Sequence, residues 1–208
     1  MTQDQGEPRL DAHDTAERRT LKWVLGINFS QVVLAGAVGI AADSAGLLGA
    51  ALDNLSDAAV YVVSLYAVGR SIAVKSRAAS LSGVLLIVLA LGLLGEVIRR
   101  YVGGSEPIGV AMIVTAFLNA ATNVLNLWLL REHREHGVHL KASWNFTTND
   151  MLANLGIVAS GIAVMVLKSP LPDLLIGLVV AGIVLKGGWD ILGEARRATE
   201  LASGGGRS

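Results

Sequence analysis

The sequence predicts an all-α integral membrane protein with six transmembrane helices and both termini in the cytoplasm, and three observations carry that expectation. Apolar residues make up 52% of the 208 residues and mean hydropathy is +0.55, too high for a soluble domain that needs a polar shell. Six segments approach the ~20 apolar residues required to cross the hydrocarbon core. When the loops are assigned alternately to the two sides, thirteen Lys and Arg fall on the side of the termini and only Arg99, Arg100 and Lys168 on the other, the asymmetry that orients membrane helices.

The first span, 23–42, holds no charge, and the second, 44–69, holds only Asp53 and Asp57. Segments 78–95 and 107–130 are uncharged, and 142–167 carries Asp150 alone. The sixth is the weakest, because 174–185 is clean but short. It crosses only if it continues past Lys186, which then snorkels toward the nearby surface. An even number of spans is needed to return both termini to one side, and this supports it. Residues 1–19 read as a polar cytoplasmic tail, 20–197 as the membrane domain and 198–208 as a flexible tail. The first twenty residues lack the apolar core of a cleavable signal. Trp23, Trp128 and Trp144 near span ends fit interfacial anchoring. The glycine pairs of GAVG (36–39) and GLLG (46–49 and 92–95) fit close helix packing.

Several function classes drop out. Lys plus Arg and Asp plus Glu number 17 each, so no net charge points to nucleic acid. With no cysteine, a metal site must use oxygen or imidazole. There is no phosphate-cradling Gly-rich loop with Lys, no nucleophile elbow and no HExxH.

The acids inside the spans carry the chemistry. Asp53 and Asp57, at i and i+4, share one helix face. A charge at the bilayer centre costs about 2.5–3.5 kcal/mol, so the pair must face the protein interior or water. Asp150 is the third intramembrane acid, and no Lys or Arg in the middle of a span neutralises the set. Three acids without a base suit a mobile divalent cation that exchanges with protons. The bland alternative is a set of protonated interhelical hydrogen bonders. The stretches GAALDNLSDAAVYVVSLYAVG and KASWNFTTNDMLANLGIVASG also align, Asp57 over Asp150 and Asp53 over Phe146, as matching helices of internal repeats would.

These residues resemble the cation diffusion facilitator (cation efflux) family of divalent-metal transporters. GLLGAALDNLSDA (46–58) is similar to the family's second-helix run into a His-or-Asp, three residues, Asp motif. LKASWNFTTNDMLANLGIVASG is similar to its fifth-helix counterpart, and GEVIRRYVGGSEPI to its outer loop. The resemblance implies a six-helix transporter, a metal site at Asp53, Asp57 and Asp150, and a homodimer in a membrane, expected to be the bacterial inner membrane. It departs in two places. Phe146 stands where the family has His or Asp, and the usual cytoplasmic metal-binding domain does not follow the sixth helix, so the likeness is to the membrane domain only.

Candidate oxygens to replace the lost ligand come from Asn54, Asn154, Thr147, the polar stripe of Asn119, Asn123 and Asn126 on the fourth helix, or water, although such residues more often bond helix to helix. An oxygen-only set suits manganese or iron(II), and zinc, cadmium and cobalt stay open as family substrates. His133, His136 and His139 in the fourth-to-fifth loop read as a cytoplasmic metal relay or as a solvated charged loop. The expected activity is proton-coupled metal export, with protons as counter-ion and no permanently bound cofactor. Its alternatives are a degenerate, non-transporting partner of another transporter and an intramembrane aspartyl enzyme.

Overall fold

The computed structural model describes residues 11–67, 72–130 and 138–204. They form six helices: α1 (Asp11–Ala41), α2 (Ala45–Ala67), α3 (Ile72–Gly103), α4 (Gly109–Leu130), α5 (Val138–Leu167) and α6 (Leu171–Gly204). Three helices outrun the sequence expectation. α1 begins inside the polar N-terminal segment, α3 continues past Arg99 and Arg100, and α6 covers 34 residues through the stretch expected to be a flexible end. The reason is general: hydropathy marks where a helix enters lipid, whereas backbone hydrogen bonding continues into the aqueous layer wherever no Pro or Gly stops it.

Five helices are long and apolar enough to cross a membrane, and the chain is a multi-pass integral membrane protein. α2 is not among the five, since Asp53, Asn54 and Asp57 interrupt its apolar run. It nevertheless crosses the bundle. Its first residues bond to Asp173 at the start of α6, while just beyond its other end Ser76 on α3 donates to the Ala195 carbonyl late in α6 (2.7 Å). α2 also touches all five other helices, so its polar residues are sheltered by protein. The bundle thus has a turn end, with the α1–α2, α3–α4 and α5–α6 connections, and a terminal end.

Glycine sets two of the close helix contacts. A Cβ on Gly83 of α3 would stand 2.9 Å from the Gly188 carbonyl oxygen of α6, and one on Gly109 of α4 would stand 2.5 Å from that of Gly161 on α5. Neither pair belongs to the motifs singled out in the sequence, but three motif glycines also face a neighbouring helix. A Cβ on Gly39 would stand 2.9 Å from the Leu48 nitrogen, one on Gly46 3.0 Å from Asp173 and one on Gly49 3.1 Å from Val180, whereas at Gly92 and Gly95 a Cβ would meet nothing within 4 Å. Spacing alone does not say which glycine faces a neighbour. Large apolar residues such as Leu81, Val88, Phe117, Val166 and Leu175 are exposed, as an outer surface solvated by lipid requires.

Local chemistry fixes the turn end. Asp43 closes α1 with φ of 51°, and the Ser44 N–H reaches back to the Gly39 carbonyl (2.9 Å), the six-to-one bond of a Schellman cap. Ser44 then caps α2, its hydroxyl accepting from the Leu47 N–H (3.1 Å) and donating to Asp173 (2.6 Å). Asp173, fully buried, accepts from the Ala45 and Gly46 N–H groups at 2.6 and 3.0 Å. An acid from α6 thereby satisfies the N-terminus of α2, where its charge also meets the positive end of the helix dipole. Outside this, Arg100 bridges Glu96 (2.8 Å) and Asp43 (3.2 Å).

Candidate metal-ion site

Asp53 and Asp57 sit one turn apart near the middle of α2, and Asp150 stands on α5. Asp57 and Asp150 are 7% and 5% exposed, although each is a residue type almost never buried without a partner. The Asp150 carboxyl lies within hydrogen-bond reach of both Asp53 and Asp57. All three therefore meet at one place, as the i, i+4 spacing on α2 and the internal alignment with α5 predict.

That place is the wall of a cavity of about 570 Å³ between α2, α5 and α6. α2 contributes Asp53, Ser56 and Asp57, and α5 contributes Asp150, Ala153 and Gly156. The α6 wall is apolar, with Ile176, Val179, Val180, Ile183 and Val184. No basic side chain lines it among the described residues. The volume is large against the ~30 Å³ share of one water, so an ion can enter with part of its hydration shell. Among the described residues no group of three His, Cys, Asp or Glu closes into a ready-made coordination sphere. Asp150 contacts each of the two α2 acids along one side, facing an apolar wall.

Ser56 was not foreseen. It is one turn from Asp53 and next to Asp57 in sequence, and a Cβ on Gly187 of α6 would lie 3.9 Å from its hydroxyl. The i+3 spacing to Asp53 was the signal that could have found it. The auxiliary oxygens expected from Asn54 and Asn154 lie elsewhere: neither lines the cavity. Their amide nitrogens donate to the carbonyls of Ala50 (2.8 Å) and Asp150 (2.9 Å), four residues earlier on their own helices. Phe146 and Thr147 belong to the helical backbone of α5, with side chains outside the described residues. His133 and His136 lie outside the described residues altogether, and His139 enters only as backbone at the start of α5.

A membrane-spanning bundle with three carboxylates lining a cavity between its helices has the form of a cation transporter. The sequence places it: residues 21–198 match the Cation efflux transmembrane domain, and the chain belongs to that family, a class of transporters and not of enzymes. Relatives include the zinc transporter ZitB of Pectobacterium atrosepticum, 25% identical over 170 residues that cover 76% of this chain and 53% of that protein. ZitB of Escherichia coli is 22% identical over 199 residues, 89% of this chain and 63% of the relative. The cadmium, cobalt and zinc/H(+)-K(+) antiporter of Bacillus subtilis is 23% identical over 116 residues, 55% and 37% of the two chains. The chain spans about half the length of the first of these curated relatives.

Proposed function

We propose that this protein exports divalent metal cations from the cytoplasm in exchange for protons, with Asp53, Asp57 and Asp150 holding the ion in the cavity between α2, α5 and α6. The observation that carries this reading is the meeting of three acids, Asp57 and Asp150 buried and Asp53 partly so, at one cavity without a basic residue in its described lining. Only ionised carboxylates bind a divalent ion well, so metal entry releases protons and protonation from the far side releases metal. Both termini lie in the cytoplasm, consistent with the basic residues gathered on their side, and the membrane is the bacterial inner membrane. Two copies form the working unit.

The donor set favours ions content with oxygen. Three carboxylates, the Ser56 hydroxyl and water form a hard, imidazole-free set suited to manganese or iron(II). The relatives' names print zinc, cadmium and cobalt, and these belong among the substrates to be tried. Purified protein in proteoliposomes, with an imposed pH gradient and each of the five metals in turn, tests the reading. Metal movement against the proton gradient supports it. Absence of flux for all five, from folded protein, would favour a non-transporting partner of another carrier, a reading that Phe146 in place of a ligand keeps in view.

A further inference from the structure

The cavity is not the only polar region inside the bundle. α1 buries Asn28 and Gln31, and α4 buries Asn119, Asn123 and Asn126, each 1% exposed or less. The Gln31 amide nitrogen reaches α4 at the Asn119 carbonyl (3.0 Å), the Thr122 hydroxyl (2.6 Å) and the Asn123 side-chain oxygen (2.8 Å). Asn54 and Asn154, each 3% exposed, bring α2 and α5 to the same level. An apolar cluster fixes that level. Ala35, Ala51, Ala116 and Ile157, one from each of these four helices, pack in one core. Gln31, Asn54, Asn119 and Asn154 each follow about one turn further toward the terminal end, on the same helix faces.

This layer is underbonded. The side-chain oxygens of Asn28, Gln31, Asn54, Asn119, Asn126 and Asn154, and the amide nitrogens of Asn119, Asn123 and Asn126, have no partner among the described residues. A buried polar atom left in that condition costs about 1–3 kcal/mol, and nine of them, strung along about two turns of α4 and the facing helices, exceed what a domain's net stability tolerates. Acceptors and donors are both present. A cation would satisfy the oxygens and leave the three NH2 groups as they were, whereas water donates and accepts and typically makes about three bonds at such a site.

We propose that the carboxamide layer is a water-binding site, a hydrated chamber between α1, α2, α4 and α5 that reaches the acids from the side opposite the apolar α6 wall. Asn54 stands one turn from Asp57, and Asn154 is bonded to the backbone of Asp150, so the water reaches the acid-bearing turns. The chamber carries no formal charge. It offers a metal ion nothing to replace its hydration shell, while its chain of hydrogen bonds can relay a proton. Protons and metal therefore reach the acids by separate routes. The relay role rests on the transport reading above, but the hydration does not.

Because the chain has no cysteine, single thiols report the water directly. Asn119→Cys removes no side-chain hydrogen bond, since neither of its amide atoms has a partner. Its control is Ala116→Cys, one turn away on the same face and 0% exposed. A small hydrophilic methanethiosulfonate should modify N119C at least about tenfold faster than A116C, because reaction needs a solvated thiolate. Equal rates overturn the proposal, as does suppression of N119C labelling by millimolar Na+ or K+, which would make the layer a cation site. N126C, whose amide is equally unpartnered, repeats the test should N119C misfold. For the relay role, Asn119→Leu should keep metal binding and lose most proton-driven flux, and undiminished flux would overturn it.

Discussion

Two buried carboxylate regions in this bundle are built in opposite ways. Asp173 at the turn end is 0% exposed and accepts from a hydroxyl and two backbone N–H groups. Asp57 and Asp150 are nearly as buried and Asp53 is partly so, yet the side-chain partner of both α2 acids is another acid, Asp150. A carboxylate surrounded by fixed donors is part of the scaffold, because its charge is already compensated and moving it would strip a helix of its cap. Carboxylates that face only each other keep binding capacity in reserve. Burial alone therefore does not separate structural from functional acids, whereas the donors around them do.

The largest effect should come from replacing the unfixed acids. Asp57→Asn and Asp150→Asn should each reduce metal flux in proteoliposomes to background while the melting temperature in detergent holds or rises, since a mutually repelling acid has become a neutral hydrogen bonder. Retained flux in both variants would remove the site from its proposed role. A second effect follows from the same acids with no mutation. If metal displaces protons from these acids as proposed, affinity should fall as pH falls, by about tenfold per pH unit for each proton released. Calorimetric titration in buffers of different ionisation enthalpy counts those protons, and a pH-independent affinity would contradict the exchange.

What the sequence revealed and what it hid can be traced to specific residues. The six helices were legible because lipid demands long apolar runs, and the convergence of Asp53, Asp57 and Asp150 followed from helical spacing and the absence of bases. Ser56 and the Gly83–Gly188 contact were hidden because each depends on which face of α6 lies opposite, information that hydropathy does not hold. The asparagine stripe on α4 was visible as a pattern. Its partner Gln31 is a single polar residue 88 positions from Asn119, and only the packing of α1 on α4 joins them. Asp173 was overlooked for the same reason: beside Pro172 near a chain turn it resembles an ordinary loop acid, and its role appears only when α2 is set against it.

Reversing the first experiment sharpens the contrast. Asp173→Ala leaves the N–H groups of Ala45 and Gly46 and the Ser44 hydroxyl without their acceptor, and should cost about 3 kcal/mol of stability. A lowered melting temperature with near-normal flux per folded molecule is expected. If flux vanishes while stability holds, Asp173 belongs to the transport machinery and the division between the two regions fails. Phe146→His tests the other region by addition. Restoring an imidazole where the family carries a ligand should shift preference toward zinc over manganese by about tenfold, read from competition between the two metals in the same vesicles. An unchanged ratio would mean that position 146 does not face the ion.

The smallest effect is expected at Arg100, although this residue is only 3% exposed and sits between two acids. Its partners are the reason. Glu96 is also held by Arg99 at 2.6 Å, and Asp43 also accepts the Glu106 N–H at 3.0 Å, so Arg100→Met strands neither acid. Both acids are part-exposed, and water can replace what is lost. The cost should be about 1 kcal/mol, in the range of surface ion pairs, and molar salt should narrow the difference between variant and parent. A loss as large as that of Asp173→Ala would show that the turn end is held by charge pairing across α3 as much as by the α6 cap on α2.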